Sequence, residues 1–294
     1  MDVYIIGAPF TGKSTLLERL TGGKGVGSLK LNDVRFKALV ELFKPKKVTP
    51  PYINLHDNPK NLANADALIE VVGGLTENFT SFVDTTLNFL GFEAEILISN
   101  IKKLEKKGEG RILEILKRAY DAVSDGIPLF SLKLDEEERK ILRGYGLPSL
   151  KPRMVILNVT GESRIDEEVY SELESQKLPY LEMNVLKDDP EEMGRKIFQK
   201  ILEITGTIVF FTPSEREVRG WLLEKGANVV EAAGKIHNDL ARTFIKAEVI
   251  DWESLIMNGG WKGAKEKNLI RLEGKDYTVK DGDCIYIRAS AIKS

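Results

Sequence analysis

Gly7, Gly12, Lys13 and Ser14 stand at the spacing Gly, four residues, Gly, Lys, Ser within Gly7-Ala8-Pro9-Phe10-Thr11-Gly12-Lys13-Ser14-Thr15. This is the pattern of a phosphate-binding loop. The glycines let the backbone turn and come close to phosphate oxygens, while successive N–H groups and the positive end of a following helix hold the anion. On this pattern Lys13 reaches the β and γ phosphates of a nucleotide, the Ser14 hydroxyl ligates Mg²⁺, and Thr15 lies near the α phosphate, with Pro9, Phe10 and Thr11 completing the wrap. Asp57 is the second candidate: in phosphate-loop enzymes an acid at a strand end holds Mg²⁺, usually through water. An aspartate before Asn58-Pro59 also suits a turn. Lys13 and Asp57 are the expected catalytic pair, and Ser14 and Asp57 the expected metal ligands.

The elements around these residues are of the right kind. Val3-Tyr4-Ile5-Ile6 is a short apolar, β-branched run suited to a buried strand, and Ser14 to Leu20 has helical spacing. Further strands are expected at 51–57, 66–72, 154–157 and 180–183, alternating with helices at 33–43 and 190–204. Such alternation implies a doubly wound, mostly parallel sheet whose ligand lies at the carboxyl ends of its strands. Gly7, Asp57, Asn158 and Asn184 all fall at such ends, which favours the metal reading of Asp57 over the turn. Thr21-Gly22-Gly23-Lys24-Gly25-Val26-Gly27 is too glycine-rich for regular structure and is expected to be a mobile loop over the nucleotide.

Between the strands lies a long helical stretch. Ala94, Leu97, Ile98, Ile101 and Leu104 form one stripe and Ile112, Ile115, Leu116, Ala119 and Val123 another, a helical hairpin interrupted at Lys107-Gly108-Glu109-Gly110. The stripes are expected to pack on each other, leaving the charged tip as a partner-contact site. From Gly206 the texture changes to a hairpin through Pro213-Ser214-Glu215, one helix around 228–238 and several short strands: a separate α+β domain. The expected division is 1–78 with 150–205 for nucleotide binding, 79–149 for the helical hairpin, and 206–294 for the C-terminal domain.

Composition narrows the partners. With 43 Lys plus Arg against 45 Asp plus Glu, a net charge of −2 gives no global pull toward nucleic acid or membrane. The lone Cys284 permits no internal disulfide and sits in an apolar alternating stretch, as a buried strand residue would. No apolar run approaches a membrane span, so a cytoplasmic protein is expected. His56 and His237 are expected to be structural, the latter within its helix, and Trp221, Trp252 and Trp261 to be core or domain-interface residues. The Asp135-Glu136-Glu137-Glu138-Arg139 cluster is expected to be solvated.

The C-terminal segments Phe210-Phe211-Thr212, Glu217-Val218-Arg219-Gly220-Trp221, Ala232-Ala233-Gly234-Lys235-Ile236-His237, Phe244 to Ile250, Gly263-Ala264-Lys265-Glu266 and Arg271 to Tyr277 resemble the YchF family, the Obg-like ATPases of the translation-factor class of phosphate-loop proteins. Lys44 to Pro50 also resembles the segment that the family places before its second Mg²⁺ motif. The resemblance implies a C-terminal TGS domain, a ubiquitin-like β-grasp module, together with Mg²⁺, ATP or GTP, and a ribosomal, RNA or protein partner met through the hairpin and the TGS domain. It also implies base contacts at Asn158, Val159 and Glu162, where the family reads Asn, Val, any residue, Glu; here Glu162 stands one place late. Asn184 sits where the family's last base-contacting loop begins.

Departures from the family pattern shape the functional expectation. No counterpart of the first-switch threonine is found in the glycine-rich residues 21–29, and Lys60 stands where the second switch keeps glycine. Two functions stay open: a Mg²⁺-dependent ATPase or GTPase whose state is read by the hairpin and TGS domain, and a nucleotide-binding adaptor with little turnover. A small-molecule kinase, which needs an arginine-bearing lid and an acceptor pocket, is disfavoured by the TGS-like end. The missing guanine-reading acid favours ATP.

Overall fold

β1 (Asp2–Ile6) runs into the phosphate loop and α1 (Lys13–Thr21) leaves it. The chain continues through β2 (Val26–Lys30), α2 (Val34–Phe43), β3 (Lys47–Thr49), β4 (Tyr52–His56) and β5 (Ala67–Gly73), then α3 (Asn78–Glu105), α4 (Gly110–Ser124) and α5 (Glu136–Arg143). β6 (Arg153–Asn158), α6 (Glu167–Ser175), β7 (Tyr180–Met183) and α7 (Pro190–Thr205) follow. The computed structural model describes residues 1–57, 59–74, 78–106, 110–160 and 164–290. These divide into two compact units, Met1–Leu29 with Asn54–Met193 and Lys30–Ile53 with Gly194–Ser294.

The first unit is built on a six-stranded sheet of order β2-β4-β1-β5-β6-β7, in which β1 pairs parallel with β4 and β5, and β6 with β5 and β7. Its central strands are buried throughout, as expected of a parallel sheet covered on both faces. The chain goes from β1 to one side for β4 and to the other for β5, so β1 lies at the topological switch point. Gly7, Asp57, Gly74, Asn158 and Asn184 therefore gather at one edge of the sheet.

Val26 and Gly27, at the end of the glycine-rich stretch, open an edge strand, Val26–Lys30, and Gly23 and Gly27 pack closely around Thr21. A Cβ on Gly27 would lie 2.0 Å from Thr21 Oγ1, and the Gly23 N–H donates to that oxygen at 3.1 Å. The Gly25 carbonyl accepts the Asp57 N–H at 2.9 Å, which ties the stretch to the end of β4.

α3 and α4 form the expected hairpin. Leu97 and Ile101 share one buried cluster with Ile115, Leu116, Ala119 and Val123. The tip, 107–109, lies outside the described residues. The acidic cluster is exposed but ordered: Asp135 and Glu138 form a reciprocal capping box that starts α5.

α3 is anchored to the sheet by buried polar groups. The Arg153 guanidinium donates to Glu70 at 3.1 Å and lies 6.0, 5.5 and 5.6 Å from the ring centroids of Phe82, Phe89 and Phe130. Glu93, on α3, accepts from the Ser149 N–H at 2.7 Å and the Ser149 hydroxyl at 3.0 Å. Burial raises the Glu93 carboxyl to about 7, against the opposing pull of Ser149 and Arg153. Folded Glu93 thus binds its proton more tightly than the unfolded chain does. Its contribution to stability is present in full below the ordinary carboxylate range and declines as pH rises to about 7. Glu93→Gln removes that decline, so relative to wild type it should gain up to about 3 kcal/mol between pH 4.5 and 8. Denaturant titrations of both proteins at pH 4.5, 6 and 8 check this, and a pH-independent difference would contradict it.

The second unit carries β8 (Thr207–Pro213), β9 (Glu217–Glu224), α8 (Val229–Ile236), α9 (Asn238–Arg242) and β10 (Phe244–Asp251), then α10 (Trp252–Met257), α11 (Trp261–Glu266), β11 (Arg271–Glu273) and β12 (Asp283–Ala289). The β8–β9 hairpin is antiparallel, and β12 runs parallel beside β8 and antiparallel to β10. The resulting order β9-β8-β12-β10-β11, with α8 between the second and third strands in sequence, is a β-grasp. Cys284 is fully buried on β12, as its alternating context implied. Trp221 stacks on Phe210 at 6.3 Å under the Arg219 guanidinium, and Trp261 Nε1 donates to the Pro213 carbonyl at 2.9 Å.

Residues 30–53 group by their contacts with this unit: β3 adds parallel to β9, and Phe36 of α2 meets Phe211 at 6.2 Å between ring centroids. Arg35 bonds Asp33 at 2.7 Å and Asp281 at 2.5 Å while lying over the Phe211 ring, and Gly220 leaves room that a Cβ would lose to Pro51 at 2.4 Å. Contacts divide the two units at 193, inside α7. The helix expected over 228–238 is two helices, because His237 is extended at φ −164° and caps α9, its Nδ1 accepting the Asp239 N–H at 3.2 Å.

Candidate functional site

The loop between β1 and α1 is shaped by two left-handed glycines. At Gly7, φ is 132° and a Cβ would lie 2.3 Å from the Val71 carbonyl oxygen; at Gly12, φ is 100° and a Cβ would lie 2.7 Å from Asn158 Nδ2. No other residue type fits either place. Phe10 takes φ 66° with its ring 80% exposed, a conformation a bulky residue adopts only when its surroundings hold it there. The Thr11 hydroxyl donates to the Ala8 carbonyl at 3.0 Å. Gly74, at φ 74°, closes the far side, where a Cβ would meet the Phe10 oxygen at 2.8 Å. Gly12 caps α1, so the positive end of that helix opens into the loop.

Lys13 and Ser14 begin α1. Lys13 Nζ donates to the Ala8 carbonyl at 2.5 Å, across the mouth of the loop. Burial pushes its ammonium below the usual lysine range, and Asp57 opposes that shift. A bound polyanion would relieve the burial cost. The Ser14 hydroxyl donates to Asp57 Oδ2, which brings both expected metal ligands together although 43 positions separate them. Two oxygens on one side of a phosphate cradle suit Mg²⁺, which keeps water and phosphate for its remaining ligands. Thr15, half-buried, follows on α1.

Asn158 contacts the phosphate loop directly. It is buried, its Nδ2 donating to the Thr11 carbonyl at 2.9 Å and its Oδ1 accepting the Val185 N–H at 3.0 Å. Both ends of the amide are committed, so the side chain clamps the phosphate loop to the turn after β7. Val159 packs against the cluster around Val155 and Leu157. Asn184 turns its Oδ1 back onto the Leu186 and Lys187 N–H groups at 3.1 and 3.0 Å. Glu162 lies outside the described residues. Arg19, which no motif marked, donates to the Val185 and Asp188 carbonyls at 2.5 and 2.8 Å and fixes the same turn to α1. Gly74 had a signal, a glycine pair after an apolar strand. Arg19 had none.

His56 is structural: its ring stacks on Tyr4 at 4.6 Å and its Nε2 bonds Asp2 at 2.8 Å. A cavity of about 990 Å³ lies in the second unit and is open; Arg35, Asp33 and Asp281 on its wall already satisfy one another. Among the described residues, no helix is long and apolar enough to cross a membrane.

Comparison with known proteins agrees with this geometry. Residues 207–290 match the YchF-GTPase_C family model, described as a protein of unknown function (DUF933). The chain is 28% identical to the ribosome-binding ATPase YchF of Bacillus subtilis over 358 positions, covering 97% of this chain and 98% of that protein. Its identity to the protein of the same name from Pasteurella multocida is 26%, with the same coverage. Because the first alignment is longer than the 294 residues of this chain, the relative carries segments that this chain lacks. The fold matches the structure of the Schizosaccharomyces pombe YchF GTPase with a TM-score of 0.82 at 18% identity, covering 98% of this chain and 97% of that one. From the phosphate loop at one end to the β-grasp strands at the other, this chain is similar along its whole length to YchF proteins, and its residues 207–290 carry the C-terminal domain of that family.

Proposed function

We propose that this protein is a cytoplasmic, Mg²⁺-dependent nucleotide-binding protein that hydrolyses a nucleoside triphosphate and works on the ribosome. The observation that carries the nucleotide reading is the Ser14–Asp57 hydrogen bond beside Lys13, at the mouth of a loop only glycine can form. The loop N–H groups and Lys13 would hold the β and γ phosphates, and Ser14 and Asp57 would hold Mg²⁺, which neutralises phosphate charge when bound. Water attacks the terminal phosphorus in line, with Lys13 stabilising the charge that develops. The family's ribosome-binding ATPases support the partner and the choice of ATP. Nucleotide binding falls to the sheet around the phosphate loop, and partner contact to the hairpin over 79–149 and the TGS-like domain over 206–294. Asn158 holds the loop, and Val159, Glu162 and Asn184 are the proposed base contacts.

A second reading, an adaptor that binds nucleotide with little turnover, is favoured by one observation. The stretch that would carry the first switch is a sheet strand, pinned through Gly25 to Asp57.

The test titrates Mg-ATP and Mg-GTP into the purified protein by calorimetry, follows phosphate release, and measures co-sedimentation with ribosomes in each nucleotide state. Saturable binding with release and nucleotide-dependent co-sedimentation supports the hydrolase. Binding and co-sedimentation without release supports the adaptor. No binding of either nucleotide contradicts both.

A further inference from the structure

Beside the phosphate loop, on the Ala8-Pro9 side, lies a cavity of about 360 Å³. One wall is Gly7, Ala8, Pro9 and Lys13, and the facing wall is α3, with Asp84, Thr85 and Asn88. Apart from Lys13, Asp84 is the one charged residue among those lining it. A water occupies about 30 Å³ of liquid, so the volume accepts a terminal phosphoryl group and the waters around it. Asp84 and Asn88 stand four residues apart, on one face of the helix.

That face is held rigidly. Between the two polar residues, Thr85 is buried and its hydroxyl bonds the buried Glu70 of β5. Phe82 and Phe89, one turn to either side, are buried against the Arg153 guanidinium. Asp84 and Asn88 themselves are exposed toward the cavity and carry no structural load. A polar pair on a fixed helix, opposite the lysine that marks the terminal phosphate, is placed as a group orienting a nucleophile must be.

We propose that Asp84 and Asn88 orient the attacking water, so that α3 supplies the positioning for which residues 21–29 and Lys60 offer no counterpart of the family's switch residues. This rests on the nucleotide reading above. Asn88 hydrogen-bonds the water and Asp84 accepts its proton. The water oxygen forms the new bond to the terminal phosphorus while the bond to the bridging oxygen breaks. The electron pair leaves on the nucleoside diphosphate, and the proton passes from Asp84 to the phosphate product.

The experiment uses the full chain with Mg-ATP and Mg-GTP, measuring affinity by calorimetry and phosphate release in a single turnover, for wild type and for Asp84→Asn, Asp84→Glu and Asn88→Ala. Asp84→Asn should bind nucleotide within twofold of wild type and release phosphate about 100-fold more slowly. Asp84→Glu should restore part of the rate that Asp84→Asn loses. Release by Asp84→Asn within twofold of wild type overturns the proposal while leaving the nucleotide reading intact, as does a wild type that binds but releases nothing. A wild type that binds neither nucleotide overturns both.

Discussion

Arg153→Met is expected to lower the unfolding free energy by about 3–5 kcal/mol, the cost of leaving a buried charge without its partner. The Arg153 side chain is 4% exposed and that of Glu70 is 0%. Glu70 Oε2 receives the guanidinium at 3.1 Å, while Oε1 has no hydrogen-bond partner. Burial pushes the Glu70 carboxyl up, and Arg153 is the charge that opposes it. Removing the arginine strands that carboxyl and empties the space among Phe82, Phe89 and Phe130. The double variant Arg153→Met/Glu70→Leu should recover most of the loss, since replacing both partners of a buried pair removes the desolvation cost along with the attraction. Urea denaturation of the single and double variants measures both numbers; a single-variant loss under 1 kcal/mol would show that the pair anchors nothing.

Asn158→Ala is expected to weaken ATP and GTP binding by the same factor, about tenfold, and to cost about 2–4 kcal/mol of stability. The amide satisfies the Thr11 carbonyl and the Val185 N–H, both buried, and each orphaned group costs about 1–3 kcal/mol. A group that reads a base would instead change the ratio of the two affinities. Calorimetric titration of both nucleotides against the variant separates the two roles. A selective loss for one nucleotide would return Asn158 to the base site.

The contrast at Asn158 shows what a sequence can carry. The phosphate loop was legible because its chemistry is contiguous and its glycines are demanded by backbone geometry. Asp57 was legible through its place at a strand end, a consequence of the parallel sheet. The hairpin stripes were legible because helical periodicity repeats over many turns. Asn158 was found, but its role was not legible, since an asparagine at a strand end looks the same whether its amide faces a base or a neighbouring backbone. β3 was missed because three residues, two of them exposed, carry no pattern and their partner strand lies some 170 positions away. Asp84 and Asn88 escaped notice because stripe reading follows apolar residues, and what matters about these two is the lysine across the cavity.

The central claim is that this loop holds a Mg-nucleotide through Lys13. Calorimetric titration of Mg-ATP and Mg-GTP into wild type and Lys13→Ala, with far-ultraviolet circular dichroism of both, tests it directly. The account predicts saturable binding to wild type and a loss of affinity of roughly 100-fold or more in the variant, the value of two to three kcal/mol for charge-assisted contacts to phosphate. The variant should keep its fold, because the contact that Lys13 makes in the structure is a single bond to the Ala8 carbonyl. Equal affinity in a folded Lys13→Ala protein, or no binding to wild type, would contradict the account.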